Sequence, residues 1–287
     1  VVASWGPYTV KSAFQPIFRF VEGKLRVAAF EGLARPFRNG EAVPAQEFFR
    51  SVPAGEALHV ETLTRTMHLH NAAMFLDPST LIFVNFNPAV FVDRAVAVSV
   101  LQDMRRTLME TGIEPRRIVC EVTEHSATSE RMLDIFVSTL RDHGFGIAVD
   151  DFGAADSDMQ RVSALKPHIL KFDAQWIARL MDTRPGVALL AVMVEKFKAQ
   201  GMTVVFEGLE ESWQLDIAEE VGADMVQGYV LARPEIVPSS YMMQSSMAEA
   251  VILPEVAPVA DPTADVPEKR LPAGSSTPRP FGKRQPI

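Results

Sequence analysis

Ala13-Phe14-Gln15-Pro16-Ile17-Phe18-Arg19-Phe20, then Val21-Glu22-Gly23-Lys24, then Leu25-Arg26-Val27-Ala28-Ala29-Phe30-Glu31-Gly32-Leu33 is the stretch that decides the fold. The two outer runs are rich in Phe, Ile and Val and read as strands. The short piece between them admits a hairpin but no crossover helix, so the two strands run antiparallel. Downstream the pattern changes. Strand candidates at Leu81–Asn85, Ile118–Val122, Gly146–Asp150, Ile169–Phe172, Thr203–Glu207 and Met225–Val230 alternate with segments of helical period. Those segments are about Ala45–Phe75, Val92–Thr111, Ser129–His143, Pro185–Gln200 and Ser212–Val221. Leu189, Val192, Met193, Lys196 and Phe197 have the i, i+3, i+4 spacing of a helix face. Gly112, Gly144, Gly201 and Gly222 follow helices, where a C′ glycine belongs. Such alternation implies a mostly parallel sheet covered by helices. About eight strands in roughly 250 residues fit a closed barrel. The expected fold is therefore α/β, a modified (β/α)8 TIM-type barrel over residues 1–250 with one antiparallel strand.

The ends of these runs carry the chemistry. They finish in Glu31, Asn85, Glu121, Asp150-Asp151, Lys171, Glu207 and Gln227. In a parallel barrel such ends share one face, and that face holds the active site. Five carboxylates on one face repel one another; two unit charges at about 4 Å interact by about 4 kcal/mol at an effective dielectric of about 20. Bound divalent cations relieve this. Donors that are oxygen only, with no Cys or His among them, suit the hard ions Mg²⁺ or Mn²⁺. The adjacent pair Asp150-Asp151 can place one carboxylate between two ions, the usual arrangement for attack on a phosphodiester. Lys171 then holds a water or stabilises charge at phosphorus. The plainer alternative is that it forms an ion pair with the acidic cluster.

Composition narrows the classes further. The chain has 287 residues, of which 47% are hydrophobic and 22% charged, enough apolar surface to fold rather than stay disordered. The formal net charge of −8, with no basic face, argues against long nucleic acid as a partner. Cys120 is the single cysteine, which excludes an internal disulfide framework and a Cys-based zinc site and leaves a small core hydrophobe. No apolar run is long enough for a membrane span, and a cytoplasmic setting is expected. Met67-His68-Leu69-His70 puts its two histidines on different helix faces, so they read as core or surface residues rather than metal ligands. Residues 251–287 carry Pro254, Pro258, Pro262, Pro267, Pro272, Pro278, Pro280 and Pro286. Proline at that density prevents helix and sheet, so a disordered tail is expected there.

Taken in order, these residues resemble the EAL domain family of cyclic-di-GMP phosphodiesterases. Phe14-Gln15-Pro16-Ile17 with Glu31-Gly32-Leu33-Ala34-Arg35 resembles the opening and the name-giving Glu-Ala-Leu motif. Val84-Asn85, Glu121-Val122-Thr123-Glu124, Asp150-Asp151-Phe152-Gly153, Lys171-Phe172-Asp173, Glu207-Gly208-Leu209-Glu210, Gln227-Gly228-Tyr229 and Arg233-Pro234 follow in the family's order. The resemblance implies two Mg²⁺ or Mn²⁺ ions held by Glu31, Asn85, Glu121, Asp150 and Asp151. It implies that Lys171 orients the attacking water and that Glu207 supports the second metal or its water. Gln15, Leu33, Arg35, Asp173 and Gln227 are implied to bind substrate, with Arg35 on a phosphate; Asp173 otherwise braces its strand end. Glu124 is implied to anchor the loop after Asp150-Asp151. The implied reaction opens cyclic-di-GMP to linear pGpG by two-metal activation of water. A catalytically silent cyclic-di-GMP receptor that signals through a protein partner is the alternative, and a pure interaction module the third. A homodimer, and a sensory or cyclase domain ahead of Val1, stay open.

The chain departs from the family at Gly32 for Ala, Pro36 for Trp, Asn87-Pro88 for Ser-Ala, and most of all at Ala154-Ala155-Asp156-Ser157-Asp158. There the family typically runs Thr-Gly-Tyr-Ser-Ser. Metal affinity, turnover or dimer coupling is where that loop would act.

Overall fold

The structure, a computed structural model, describes residues 1–87, 93–123, 130–154 and 159–237. Its strands are β1 (Ala3–Trp5), β2 (Tyr8–Val21), β3 (Lys24–Arg38), β4 (Glu41–Ala42), β5 (Leu81–Phe86), β6 (Ile118–Thr123), β7 (Gly146–Phe152), β8 (Ile169–Phe172), β9 (Thr203–Phe206), β10 (Met225–Val226) and β11 (Glu235–Ile236). The helices are α1 (Ala45–Ser51), α2 (Ala57–Phe75), α3 (Arg94–Thr111), α4 (Glu130–Asp142), α5 (Met159–Leu165), α6 (Ala174–Met181), α7 (Arg184–Ala199) and α8 (Ser212–Glu220). Among the described residues no helix is long and apolar enough to cross a membrane.

Eight strands close into a ring in the order β2-β10-β9-β8-β7-β6-β5-β3, with β3 hydrogen-bonded back to β2. β2 is antiparallel to both of its ring neighbours, and the other neighbours pair in parallel. This is the barrel with one reversed strand that the four-residue hairpin demands. The hairpin is longer than its apolar core suggests. Pairing continues past Ala13 and Leu33 to Tyr8 opposite Arg38. The short strands β1, β4 and β11 add to it.

The inner face of the barrel is built by the two-residue period of a strand. Ile17, Ala29, Phe83, Val119, Ala148, Ile169, Val205 and Met225 belong to one buried apolar cluster. Each lies two residues from a polar one on the same face: Gln15, Glu31, Asn85, Glu121, Asp150, Lys171, Glu207 and Gln227, respectively. In β2 the polar residue precedes the apolar one, because that strand is reversed. The barrel thus has an apolar floor and a polar mouth, set by strand register alone. The alternate residues, such as Val84, Cys120, Val149, Leu170 and Val204, point outward into the core shared with the helices. Cys120 is a buried member of that core.

Three expectations are corrected. The helix expected over Ala45–Phe75 is two helices, α1 and α2, joined through Pro53 and a 3₁₀ turn at Ala54–Glu56, since proline supplies no N–H to continue a helix. The last strand, expected to reach Val230, ends at Val226. A Cβ on Gly228 would lie 2.0 Å from Leu209 O, so the chain there turns against the loop after β9. Leu209 N–H donates to Gln227 O and Val230 N–H to Leu209 O across that contact. Helices α5 and α6 were not expected at all. The tail 251–287 and Glu124 lie outside the described residues.

Candidate active site at the barrel mouth

Lys171 is the hub of the mouth. Its side chain is fully buried, and Nζ lies 2.5 Å from Glu121 Oε1, 3.2 Å from Asp150 Oδ1, 3.2 Å from Glu207 Oε2 and 3.8 Å from Glu31 Oε2. The four carboxylates come from four strands: Glu31 from the middle of β3, Glu121 and Asp150 from β6 and β7, and Glu207 from just past β9. Gln227 Nε2 donates to Glu31 Oε2 at 2.9 Å, which ties the end of β10 across the reversed strand to β3. Gln15, opposite Glu31 in register, donates through Nε2 to Ala232 O at 3.2 Å.

One ammonium cannot balance four carboxylates. Burial would drive Lys171 toward neutrality, but Asp150, Glu121, Glu207 and Glu31 together hold it cationic, its pKa well above the lysine norm. Glu121 pays in the other direction: burial pushes its carboxyl well up, Lys171 pulls it down, and Glu31 and Asp150 push it up again. Asp150 and Glu207 titrate together. Burial disfavours the Asp150 anion, yet Lys171 and hydrogen bonds from Glu207, Lys171 and the Asp151 N–H outweigh it and keep that carboxyl low. Burial and Asp150 raise Glu207. The cluster therefore holds more anionic capacity than its own cation can use.

The adjacent aspartates part company. β7 breaks register between Val149 and Phe152, the signature of a bulge. Asp151 sits on it at φ 59° and is exposed, while Asp150 faces Lys171. Aspartate tolerates that left-handed backbone better than most residues. Asp151 N–H donates to Asp150 Oδ1 at 3.0 Å. Phe152, packed against Phe172 and Trp176, pins the bulge from below.

The remaining expected residues fall as follows. Asn85 is exposed at the mouth, and its backbone oxygen faces Arg65 Nη1 at 3.5 Å. Leu33 and Arg35 line a cavity of about 450 Å³ that also reaches Asn85. Asp173 Oδ1 accepts from the Trp176 N–H at 2.8 Å and caps α6. Glu124 and residues 155–158 lie outside the described residues. Sequence reasoning missed Glu61 and Arg65 of α2, which line the same cavity. In a sequence they look like an ordinary solvent-facing i, i+4 pair.

The donor set suits hard cations. Among the described residues no three of His, Cys, Asp and Glu are arranged around an ion position as they stand; the carboxylates turn to Lys171 instead. Yet Glu121 Oε2 and Glu207 Oε1 are buried and accept no hydrogen bond. Buried oxygens with unused lone pairs, on carboxyls that crowd one another, are what oxygen-seeking divalent ions satisfy.

A family model described as the EAL domain matches residues 9–234. The cyclic di-GMP phosphodiesterase RocR of Pseudomonas aeruginosa is 29% identical over 158 residues, which cover 55% of this chain and 39% of RocR. The chain thus spans well under half the length of that relative. The Bacillus subtilis YkuI protein, solved with an EAL domain in complex with c-di-GMP and calcium, superposes with a TM-score of 0.68 at 26% identity, over 82% of this chain and 60% of that one. Klebsiella pneumoniae BlrP1, solved with manganese and cyclic di-GMP, gives a TM-score of 0.68 at 25% identity, over 80% and 56% of the two chains.

Proposed function

This chain belongs to the EAL domain family, and from that premise we propose that it is a metal-dependent phosphodiesterase that opens cyclic-di-GMP to linear pGpG. The observation that carries the reading is the gathering of Glu31, Glu121, Asp150 and Glu207 around a buried Lys171, with two buried carboxylate oxygens left over. Glu31, Asn85, Glu121, Asp150 and Asp151 would hold two Mg²⁺ or Mn²⁺ ions. When bound, such ions lower the pKa of water and neutralise charge at a phosphodiester.

The rest of the chemistry falls to the chain. Lys171, kept cationic by its carboxylates, orients the attacking water and stabilises the charge that gathers at phosphorus. Glu207, 3.2 Å from Lys171 Nζ, would support the second metal or its water. Arg35 binds a substrate phosphate through its guanidinium. Gln227 holds Glu31 in place through its amide N–H and turns its amide oxygen, which is buried without a partner, toward the nucleotide. Gln15 and Leu33 complete the substrate wall, and Asp173 fixes the start of α6 beneath it.

The test is direct. The purified chain with Mg²⁺ or Mn²⁺ and cyclic-di-GMP is followed for pGpG formation and for nucleotide binding together. Turnover that disappears in Glu31→Ala, with the circular dichroism spectrum unchanged, is the expected result. Binding without turnover makes the chain a silent receptor, the outcome that the altered loop after Gly153 favours. Neither binding nor turnover removes the nucleotide from the account.

A further inference from the structure

The cavity beside the mouth has a second wall. Leu33, Arg35 and Asn85 form one side of it; Glu61 and Arg65, one turn apart on α2, form the other, with Phe49 of α1 at the rim. Glu61 Oε2 is buried and accepts no hydrogen bond. Among the described residues the Glu61 carboxyl is engaged by the charge of Arg65 and by hydrogen bonds with Asn87. Arg65 is 4% exposed. Its guanidinium lies over the Phe86 ring at 4.0 Å, and its two side-chain hydrogen bonds, to Asn85 O and Thr62 Oγ1, are long at 3.5 and 3.4 Å. Phe49 is 40% exposed, an aromatic ring presented to the opening. The cavity volume, about 450 Å³, is that of a small-molecule site. A buried carboxylate oxygen without a donor is costly unless a ligand supplies one.

We infer that Glu61 is the base-reading residue of this site: its carboxylate accepts from the N1–H and 2-amino group of one guanine of the dinucleotide, with Arg65 on the O6 side and Phe49 stacking on the base. The inference rests on the cyclic-di-GMP reading above. Guanine presents two adjacent donors on its Watson–Crick edge, which match the two oxygens of a carboxylate. Adenine presents an acceptor at N1 and has no 2-amino group, so the same carboxylate repels it. Arginine facing guanine O6 is the commonest specific contact to that base. The aromatic rim adds affinity for any base, because every base has a π-face.

The experiment uses the full 287-residue chain and two probes, cyclic-di-GMP and cyclic-di-AMP, with KM and kcat or equilibrium binding measured for each. Glu61→Gln is expected to weaken cyclic-di-GMP by about 10-fold to 100-fold, the worth of a good bidentate contact, with kcat little changed. Cyclic-di-AMP is expected to bind as before or more tightly, since a glutamine amide pairs with adenine. Phe49→Ala, a partly exposed substitution that does not threaten the fold, is expected to weaken both probes alike, by about 5-fold or more. The inference is overturned if the wild type uses cyclic-di-GMP and Glu61→Gln leaves it unchanged, or weakens both probes equally; the proposed activity then stands without it. It is overturned likewise if Glu61→Gln fails to fold and Phe49→Ala leaves both affinities unchanged. If the wild type neither binds nor opens cyclic-di-GMP, the proposed function itself fails, and that result is seen before any variant is made.

Discussion

Two buried polar clusters lie on either side of the barrel wall, and they are built to opposite rules. Inside the mouth, Lys171 serves four carboxylates, and two of their oxygens have no donor. Outside, beneath α2, Ser12, His68 and Asn71 are 1%, 5% and 0% exposed. Their own side chains are uncharged, and the Val1 ammonium donates to Asn71 Oδ1 at the edge of the set. Ser12 Oγ accepts from Asn71 Nδ2 at 2.8 Å and shares a 2.9 Å hydrogen bond with His68 Nδ1, while Asn71 Nδ2 also donates to Val1 O. Burial, reinforced by Arg35 and Arg65, lowers the His68 pKa to about 3, so the ring is neutral. Both clusters are buried and both are polar. Only the first carries unspent charge. The imbalance, rather than the burial of polar groups, marks a place for ligand chemistry.

The widest gap between the two should open on losing the central group. Lys171→Met strands four carboxylates in a buried site, and such a loss costs about 3 to 5 kcal/mol. Urea melts near neutral pH should register it, and the deficit should shrink toward about pH 5 as the carboxylates take up protons. Asn71→Leu in the neutral cluster should cost about 1 to 3 kcal/mol, with no such dependence on pH. Equal and pH-independent losses in the two variants would erase the distinction between the clusters.

Divalent ions should also tell them apart. Mn²⁺ at about 100 times its dissociation constant stabilises a protein that binds it only when folded by about 2.7 kcal/mol. That gain is expected in the wild type and in Asn71→Leu, reversed by EDTA, and absent in Glu121→Gln. A thermal shift that survives Glu121→Gln would place the ions elsewhere.

The two clusters should respond to pH with opposite signs. The folded pKa of His68, about 3, lies below the solution value of 6.5. Between those values the unfolded chain binds the proton and the folded chain does not. The stability is therefore present above pH 6.5 and is lost as pH falls toward 3, by up to about 1.4 kcal/mol per pH unit. His168, lowered to about 4 chiefly by burial, adds a slope of the same sign. Glu121 and Glu207 work the other way: their raised folded pKa values favour the fold below the ordinary carboxyl range and withdraw that support as pH rises. Stability profiles should flatten on the acid side in His68→Gln and on the alkaline side in Glu121→Gln. A His68→Gln profile parallel to that of the wild type would mean that His68 is not held neutral by the fold.

Much of this was legible in the residues, and the physical reason is specific. A strand has a period of two, so the apolar residue at each barrel floor and the polar residue at its mouth are both readable once the strand is found. In the sequence Glu31, Glu121, Asp150, Lys171 and Glu207 stand out as the polar residues that end the apolar runs. The period says nothing about which groups touch, so whether Lys171 faced a water or the acids could not be chosen from the sequence; in the structure it is bonded to the acids. Helices α5 and α6 have seven and eight residues, too few turns for a periodic signal. Asp173, the N-cap of α6, is the one local clue to that helix. His68 and His70 read in the sequence as core or surface residues. His68 is buried with Ser12, whereas His70 lies 3.3 Å from Glu110 on α3. Glu61 stayed hidden because a buried carboxylate and an exposed one are spelled the same way.

The smallest expected effect explains a departure from the family. Gly32 stands where the name-giving motif has alanine, in strand β3 opposite Phe14. A Cβ there would lie 3.1 Å from His68 Cγ and 3.3 Å from its Cβ, tighter than side chains normally approach. His68 cannot simply swing away, since Ser12 holds its ring and Phe14 packs on it edge-on at 6.2 Å. Gly32→Ala, although it restores the family residue, should therefore destabilise this chain by about 1 kcal/mol through overpacking. With His68→Ala the obstacle is gone, and the same substitution should stabilise by about 0.5 kcal/mol, because alanine restricts the unfolded chain. The double-mutant cycle thus carries a coupling of about 1.5 kcal/mol, within the range for residues in contact. If Gly32→Ala costs nothing beside an intact His68, the histidine yields, and the neutral cluster is not the rigid counterpart of the mouth that its hydrogen bonds describe.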